Sequence, residues 1–286
     1  MKLGVALAGG GIRGIAHAGV LQALNDHQVK IDIIGGTSAG SMVASLYAMG
    51  YQPYMIYQLF KRYSKQIIGA KKYPLISSLL NFPFSKKTTL TGFHNGEAIE
   101  EIYNKLAQKK NITSIEQVKM PLVIPTVDIM KSKEYIFTNH VPEQKQDKYI
   151  TNVSIGKAVR ASSSFPAVFS PCNVEKHAFM DGGALNNVPV IEVKKQGADK
   201  VLAVKFDADE INENSNFMDI AMKTIDIMGT KIAEDNLEAS DYVLNVYTDK
   251  VGLLDIEKLD KCYEYGYQSV EQNWAEIQKC LKLIIR

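Results

Sequence analysis

Apolar positions along the chain fall into two rhythms. Leu3–Ala8 and Ile31–Ile34 are short unbroken apolar runs, whereas Ile15, Val20, Leu21 and Leu24 recur at helical spacing between them. Short runs bounded by turn residues read as buried strands, and a period near 3.6 reads as a helix covering them. The pattern then predicts helices over Ser41–Met49 and Tyr54–Tyr63, and a helix capped by Asn95 with Ala98, Ile99, Ile102, Tyr103 and Leu106 on its apolar face. Strands are predicted over Leu122–Val127 and Tyr135–Phe137, a short helix over Ser154–Ala161, and a strand from Ala178 to Met180. Pro189 is placed for the first turn of a following helix. Val201–Phe206 and Tyr242–Tyr247 read as two more strands. A last amphipathic helix carries Leu259, Tyr263, Gly266, Val270, Trp274, Ile277 and Leu281, and Met218, Met222 and Ile225 share a helical face. Strands alternating with helices imply an α/β fold with a parallel sheet covered on both faces.

Ser64–Thr91 breaks both rhythms, contains Pro74 and Pro83, and is long for an ordinary connection, which predicts a flap or lid. No linker divides the chain, so residues 1–286 are expected to form a single domain. The hydrophobic share of 46% is ample for a buried core. No apolar run reaches the length of a membrane-spanning helix. Lys2 followed by Leu3–Ala8 has the outline of a secretion signal, but the glycines from Gly9 and then Arg13 interrupt it early. Cys172, Cys262 and Cys280 have no metal-like spacing and leave one thiol over in any pairing, which points to reduced thiols and a cytoplasmic protein.

A net charge of +2 argues against nucleic acid as a partner, but its distribution is uneven. Between Asp32 and Glu97 there is no acidic residue, while Lys61, Arg62, Lys65, Lys71, Lys72, Lys86 and Lys87 all fall there among many tyrosines and phenylalanines. That mixture suits peripheral contact with an anionic membrane surface; the alternative is a solvated basic face over core aromatics.

The chemistry centres on Gly36-Thr37-Ser38-Ala39-Gly40, a G-x-S-x-G pentapeptide between a predicted strand and a predicted helix. A serine on such a turn is lifted clear of the sheet, and its flanking glycines permit a strained backbone and close approach of substrate. Ser38 is the candidate nucleophile. Gly9-Gly10-Gly11-Ile12-Arg13-Gly14 matches the outline of a dinucleotide loop, with Asp32 downstream. In a nucleotide site the acid belongs at the far end of the second strand, whereas Asp32 stands at its beginning. The loop's N–H groups fit an oxyanion hole equally well. Arg13 either braces the loop, offsets developing charge or lies on the surface.

Ser38 needs a base. His17 and His27 lie in or after the first helix and read as structural, and His94 and His140 flank polar turns. His177, with Asp128 or Asp147 as its acid, would complete a histidine triad. Asp181, at a strand end beside Gly182 and Gly183, is the stronger base, because burial raises a carboxylate's basicity.

With the glycine loop, the serine pentapeptide and Asp181-Gly182-Gly183 in this order, the chain resembles the patatin-like phospholipase family, and in particular its compact bacterial members. The resemblance implies a three-layer α/β/α sandwich around a mainly parallel sheet. It implies a Ser38–Asp181 dyad and an oxyanion hole built from the loop Gly9 to Gly14. No cofactor, metal or catalytic histidine is required. The expected substrates are phospholipids, lysophospholipids or other acyl esters. A soluble carboxylesterase or thioesterase of the same mechanism, and a non-catalytic regulatory binding protein, are the alternatives. Head group, acyl position and oligomeric state are not legible.

Overall fold

A computed structural model describes residues 1–68, 95–143, 147–166, 168–207, 224, 227–249, 251–252 and 255–283. Most of the predicted flap, with Lys71, Lys72, Lys86, Lys87 and His94, lies outside these residues, as do Met218, Met222 and Ile225 as a helical face.

Five strands form the central parallel array. β1 (Leu3–Leu7) lies between β2 (Ile33–Gly36) and β8 (Lys200–Phe206), β9 (Tyr242–Val246) pairs with β8, and β3 (Leu122–Asp128) pairs with β2. On the far side of β3 lie β4 (Lys133–Thr138), antiparallel to it, and the short β5 (Tyr149–Ile150). β6 (Cys172–Val174) and β7 (His177–Asp181) form a hairpin that joins the sheet through β7, antiparallel to β3. The sheet is therefore mixed and mostly parallel.

The pleat sorts side chains into two layers. Leu3, Val5 and Leu7 of β1, with Leu202 and Val204 of β8, join the larger core. That core is closed by α1 (Ala16–Asp26), α2 (Ala39–Ala48), α4 (Glu97–Gln108), α5 (Ile155–Ser162) and α8 (Leu259–Leu281), with α3 (Pro53–Ile68) packed against it. Ala6, Val201 and Ala203 point the other way, toward Val190 and Val193 of α6 (Val190–Lys195) and the start of α7 (Glu234–Glu238). These are the three layers of an α/β/α sandwich. Each fully buried Leu, Val or Ile contributes roughly 1.5–3 kcal/mol relative to exposure.

Several boundaries differ from the sequence reading. Ser64 to Ile68 continue α3, because Ile67 extends the face on which Leu59, Phe60 and Tyr63 meet the core. Gly96, at φ 72°, is the N-cap of α4, although the Asn95 side chain accepts the Glu97 N–H. Pro189 stands immediately before its helix rather than inside it.

Candidate active site

Strand geometry brings distant motifs together. β2 and β7 share one edge of β3: Ile34 and Gly35 pair with Leu122 and Val123, while Asp181, Met180 and Phe179 pair with Thr126, Val127 and Asp128. The two strands thus occupy one lane and run toward each other, so the turn after β2 meets the end of β7. Pro125 of β3 faces the gap between them, where its missing N–H leaves no donor unpaired. A side chain on Gly182 would strike the Pro125 carbonyl and approach Thr37 at 3.0 Å.

Ser38 stands at the N-cap of α2 with φ 52° and ψ −123°, a strained conformation for a residue with a side chain. The strain is locked from several sides. A Cβ on Gly36 would lie 2.3 Å from the Gly40 carbonyl, and one on Gly40 would lie 2.4 Å from the Leu7 carbonyl. Thr37 donates its hydroxyl to the Asn186 carbonyl at 2.7 Å, and the Ser38 N–H donates to Ser162 Oγ at 3.1 Å.

Asp181 is 4% exposed. Its Oδ1 accepts the Gly183 N–H at 2.8 Å, and its Oδ2 is buried without a hydrogen-bond partner. Burial pushes the carboxyl up to about 6, opposed by the neighbouring Ser38 hydroxyl and the Gly183 N–H. The Ser38 hydroxyl is thus close enough to the Asp181 carboxyl to favour its ionised form.

The glycine loop lies against Ser38, since a Cβ on Gly9 would come within 3.1 Å of the Ser38 Cβ. Its first N–H is occupied: Gly9 donates to the Asn187 carbonyl and to Asn187 Oδ1 at 3.0 Å. The N–H groups of Gly10, Gly11 and Ala39 have no acceptor among the described residues, and all three residues line the cavity beside Ser38. Ile12 lines it as well, whereas Arg13 and Gly14 do not. Arg13 is not a surface residue. It is 1% exposed and braces the loop through Nε to the Gly10 carbonyl, reaching the Asp207 carbonyl through Nη1.

The histidines lie elsewhere. His17 is buried under the loop with Nε2 2.8 Å from the Ala8 carbonyl, and burial lowers its pKa to about 4, so it stays neutral. His177 does pair with Asp128, Nδ1 to Oδ2 at 2.6 Å, but neither lines the cavity. His27 stacks on Trp274, and His140 contacts Gln196. Asp32, the acid of the dinucleotide outline, accepts the Leu3 N–H and the Lys30 ammonium at the opposite end of the strands. No three His, Cys, Asp or Glu side chains gather as a metal site among the described residues.

The cavity has a volume of ≈ 150 Å³. Ser38, Asp181 and the glycine loop form its polar end, and Met42, Leu46, Leu59, Phe60, Ile102 and Leu106 wall the remainder. Ser162, Ser163, Asn186 and Asn187 also belong to the site; the stretch from Ser162 to Pro166 shares in the family resemblance of the sequence, but no role for these four side chains is legible there. Several of their contacts run through main-chain atoms, which no side-chain pattern reveals.

A family model described as patatin-like phospholipase matches residues 5–194. Lysophospholipase NTE1 of Scheffersomyces stipitis is 27% identical over 308 residues, covering 98% of this chain and 18% of that protein. The protein of the same name from Meyerozyma guilliermondii is 32% identical over 202 residues, 71% of this chain and 12% of that one. The chain thus spans less than a fifth of the length of either relative. The crystal structure of VipD from Legionella pneumophila shares the fold with a TM-score of 0.52 at 17% identity, covering 96% of this chain and 67% of that one.

Proposed function

The chain belongs to the patatin-like phospholipase family, and from that premise we propose that it is a lipid acyl hydrolase of phospholipase A or lysophospholipase type, acting through an acyl-Ser38 intermediate. The observation that carries this is the placement of Ser38 and Asp181 together at the polar end of an otherwise apolar cavity. Asp181 Oδ2 takes the Ser38 proton as Oγ attacks the ester carbonyl. The oxyanion is held by N–H groups of Gly10, Gly11 and Ala39, an arrangement in which each donor is worth roughly 3–4 kcal/mol in the transition state. Collapse expels the alcohol oxygen, which takes the proton back from Asp181, and water then releases the acid by the same steps in reverse order. The acyl chain lies against Met42 and Leu46 of α2. From Ser38 to Leu46 the helix rises about 12 Å, room for a medium-length extended chain.

The names of the curated relatives favour lysophospholipids among the substrates. Peripheral contact with a lipid surface is supported by exposed Leu185, Ile227 and Met228, sequence neighbours of the lining residues Ala184 and Gly229.

Fluorophosphonate labelling followed by product mass spectrometry on a mixed lipid extract tests the proposal. Label on Ser38, with free fatty acid released and both lost in Ser38→Ala, is the expected result. Turnover of soluble esters alone would reassign the chain as an esterase or thioesterase, and lipid binding without label or turnover would make it a binding protein.

A further inference from the structure

Four buried side-chain polar atoms among the described residues have no hydrogen-bond partner, and two of them belong to residues lining the same cavity: Asp181 Oδ2 and Ser163 Oγ. Ser163 is 4% exposed and stands at the C-cap of α5, its main chain fixed by N–H bonds to the Val159 and Arg160 carbonyls. A serine at a helix end ordinarily satisfies its hydroxyl on a carbonyl one turn back. Ser164 does so, donating to the Arg160 carbonyl at 2.9 Å. Ser162 Oγ is taken up by the Ser38 N–H. Of the three consecutive serines, only Ser163 has a hydroxyl oxygen that neither donates nor accepts a hydrogen bond among the described residues.

Its position follows from its neighbours. Ser162 touches the nucleophile through that bond, and the Ser164 carbonyl accepts the Asp181 N–H at 3.1 Å. Ser163 therefore sits between the anchor of the nucleophile and the anchor of the base. Both residues line the cavity, so a hydroxyl-bearing group bound there has an unpaired acceptor in Asp181 Oδ2 and an unpaired donor in Ser163 Oγ.

Resting on the Ser38–Asp181 reading above, we propose that Ser163 is a third side chain of the reaction centre, whose hydroxyl holds the oxygen that departs when acyl-Ser38 forms and the water oxygen that later replaces it. Both occupy one position, because deacylation retraces acylation with water in place of the alcohol. In acylation the Ser38 Oγ–carbon bond forms, the ester carbon–oxygen bond breaks, and the Ser38 proton passes through Asp181 to the departing oxygen. In deacylation the water oxygen–carbon bond forms, the Ser38 Oγ–carbon bond breaks, and a water proton passes through Asp181 to Ser38. Ser163 donates a hydrogen bond in both steps and ends each with its proton.

The test compares Ser163→Ala, Ser163→Cys and Ser163→Thr with the wild type on a p-nitrophenyl ester and a fluorophosphonate. Neither p-nitrophenolate nor fluoride needs help in leaving, so loss of Ser163 should tell on the water step. In Ser163→Ala, steady-state turnover should fall about tenfold, with a burst of p-nitrophenolate and an acyl adduct on Ser38 seen by intact-protein mass spectrometry. Its labelling rate should stay within about twofold of wild type, since that step needs no such hydrogen bond. Ser163→Thr should restore turnover. Undiminished turnover in Ser163→Ala would overturn the proposal, as would parallel loss of turnover and labelling, the mark of a displaced Ser38. Should the alanine variant fail to fold, Ser163→Cys decides, and wild-type turnover without a burst would again overturn it. A wild-type chain that neither turns over ester nor takes label removes the Ser38–Asp181 reading and this proposal with it.

Discussion

With one oxygen lacking a donor and almost no contact with solvent, the Asp181 carboxyl resists ionisation until the pH nears about 6, well above the 3.8 of a free aspartate. Its proton is held more tightly in the folded state than in the unfolded one. Stability from this group is therefore full below pH 3.8 and lost as the pH rises through about 6. The loss is on the order of 3 kcal/mol at pH 8. Asp181→Asn should raise the thermal midpoint at pH 8 and give no such gain near pH 4, while lowering kcat a thousandfold or more, as does Ser38→Ala. In the wild type, kcat/KM should climb with pH along a limb centred near 6, because only the ionised carboxyl accepts the serine proton. A flat profile between pH 5 and 7 would detach the base from Asp181. His177 offers the contrast. It has an acid partner in Asp128, as a triad would require, yet it lies four residues before Asp181, about 13 Å along the strand. His177→Gln should change kcat less than about tenfold, and a loss matching Ser38→Ala in a folded protein would return the mechanism to a histidine.

At the scale of elements, the site depends on two strands meeting head to head in one lane beside β3. The apolar runs and helical periods were legible because burial imposes them whatever the topology. The direction of β7 was not, since a buried strand shows the same apolar pattern whether it runs parallel or antiparallel. β5 and β6, two and three residues long, are too short for any period. Ser38 and Asp181, the proposed nucleophile and base, stand in motifs visible in the sequence, whereas what holds those motifs was not visible: Thr37 is tied to the Asn186 carbonyl and Gly9 to Asn187. In the sequence Gly266 is one position on an amphipathic face; in the structure it is where α8 crosses α1 backbone to backbone. A Cβ there would lie 1.9 Å from the Ala16 carbonyl, and one on Gly19 would lie 2.0 Å from the Tyr263 carbonyl. Gly266→Ala must push the helices apart and should cost about 1–3 kcal/mol, a fall of several degrees in the thermal midpoint. Because α1 continues directly from the glycine loop, the same variant should also slow fluorophosphonate labelling. A midpoint equal to wild type would mean that the crossing yields without strain.

For the molecule as a whole, the proposed function poses a problem of delivery, since a lipid acyl chain would have to leave a bilayer or micelle and enter a cavity whose walls are apolar almost to Ser38. The sequence pointed to the basic residues between Asp32 and Glu97 as the lipid-facing surface, and four of its lysines lie outside the described residues. The described surface offers a second route. Ile227 and Met228 are 55% and 59% exposed, although between them and Lys231 stands Gly229, which lines the cavity and would strike the Gly183 carbonyl with any side chain. Large apolar side chains beside a cavity mouth gain by entering a lipid interface, on the order of 1 kcal/mol each for partial burial. No helix among the described residues is long and apolar enough to cross a membrane. Replacing Ile227 and Met228 together by serine should weaken binding to phosphatidylcholine vesicles about tenfold and slow hydrolysis there in proportion. Turnover of a short soluble ester should hold, because Ser38, Asp181 and the glycine loop are untouched. The same vesicles at high salt should retain the effect, since apolar insertion is not screened as lysine attraction is. Equal losses on vesicles and on the soluble ester would place the two side chains in the packing around Gly183, and unchanged vesicle binding would leave lipid contact to the basic segment alone.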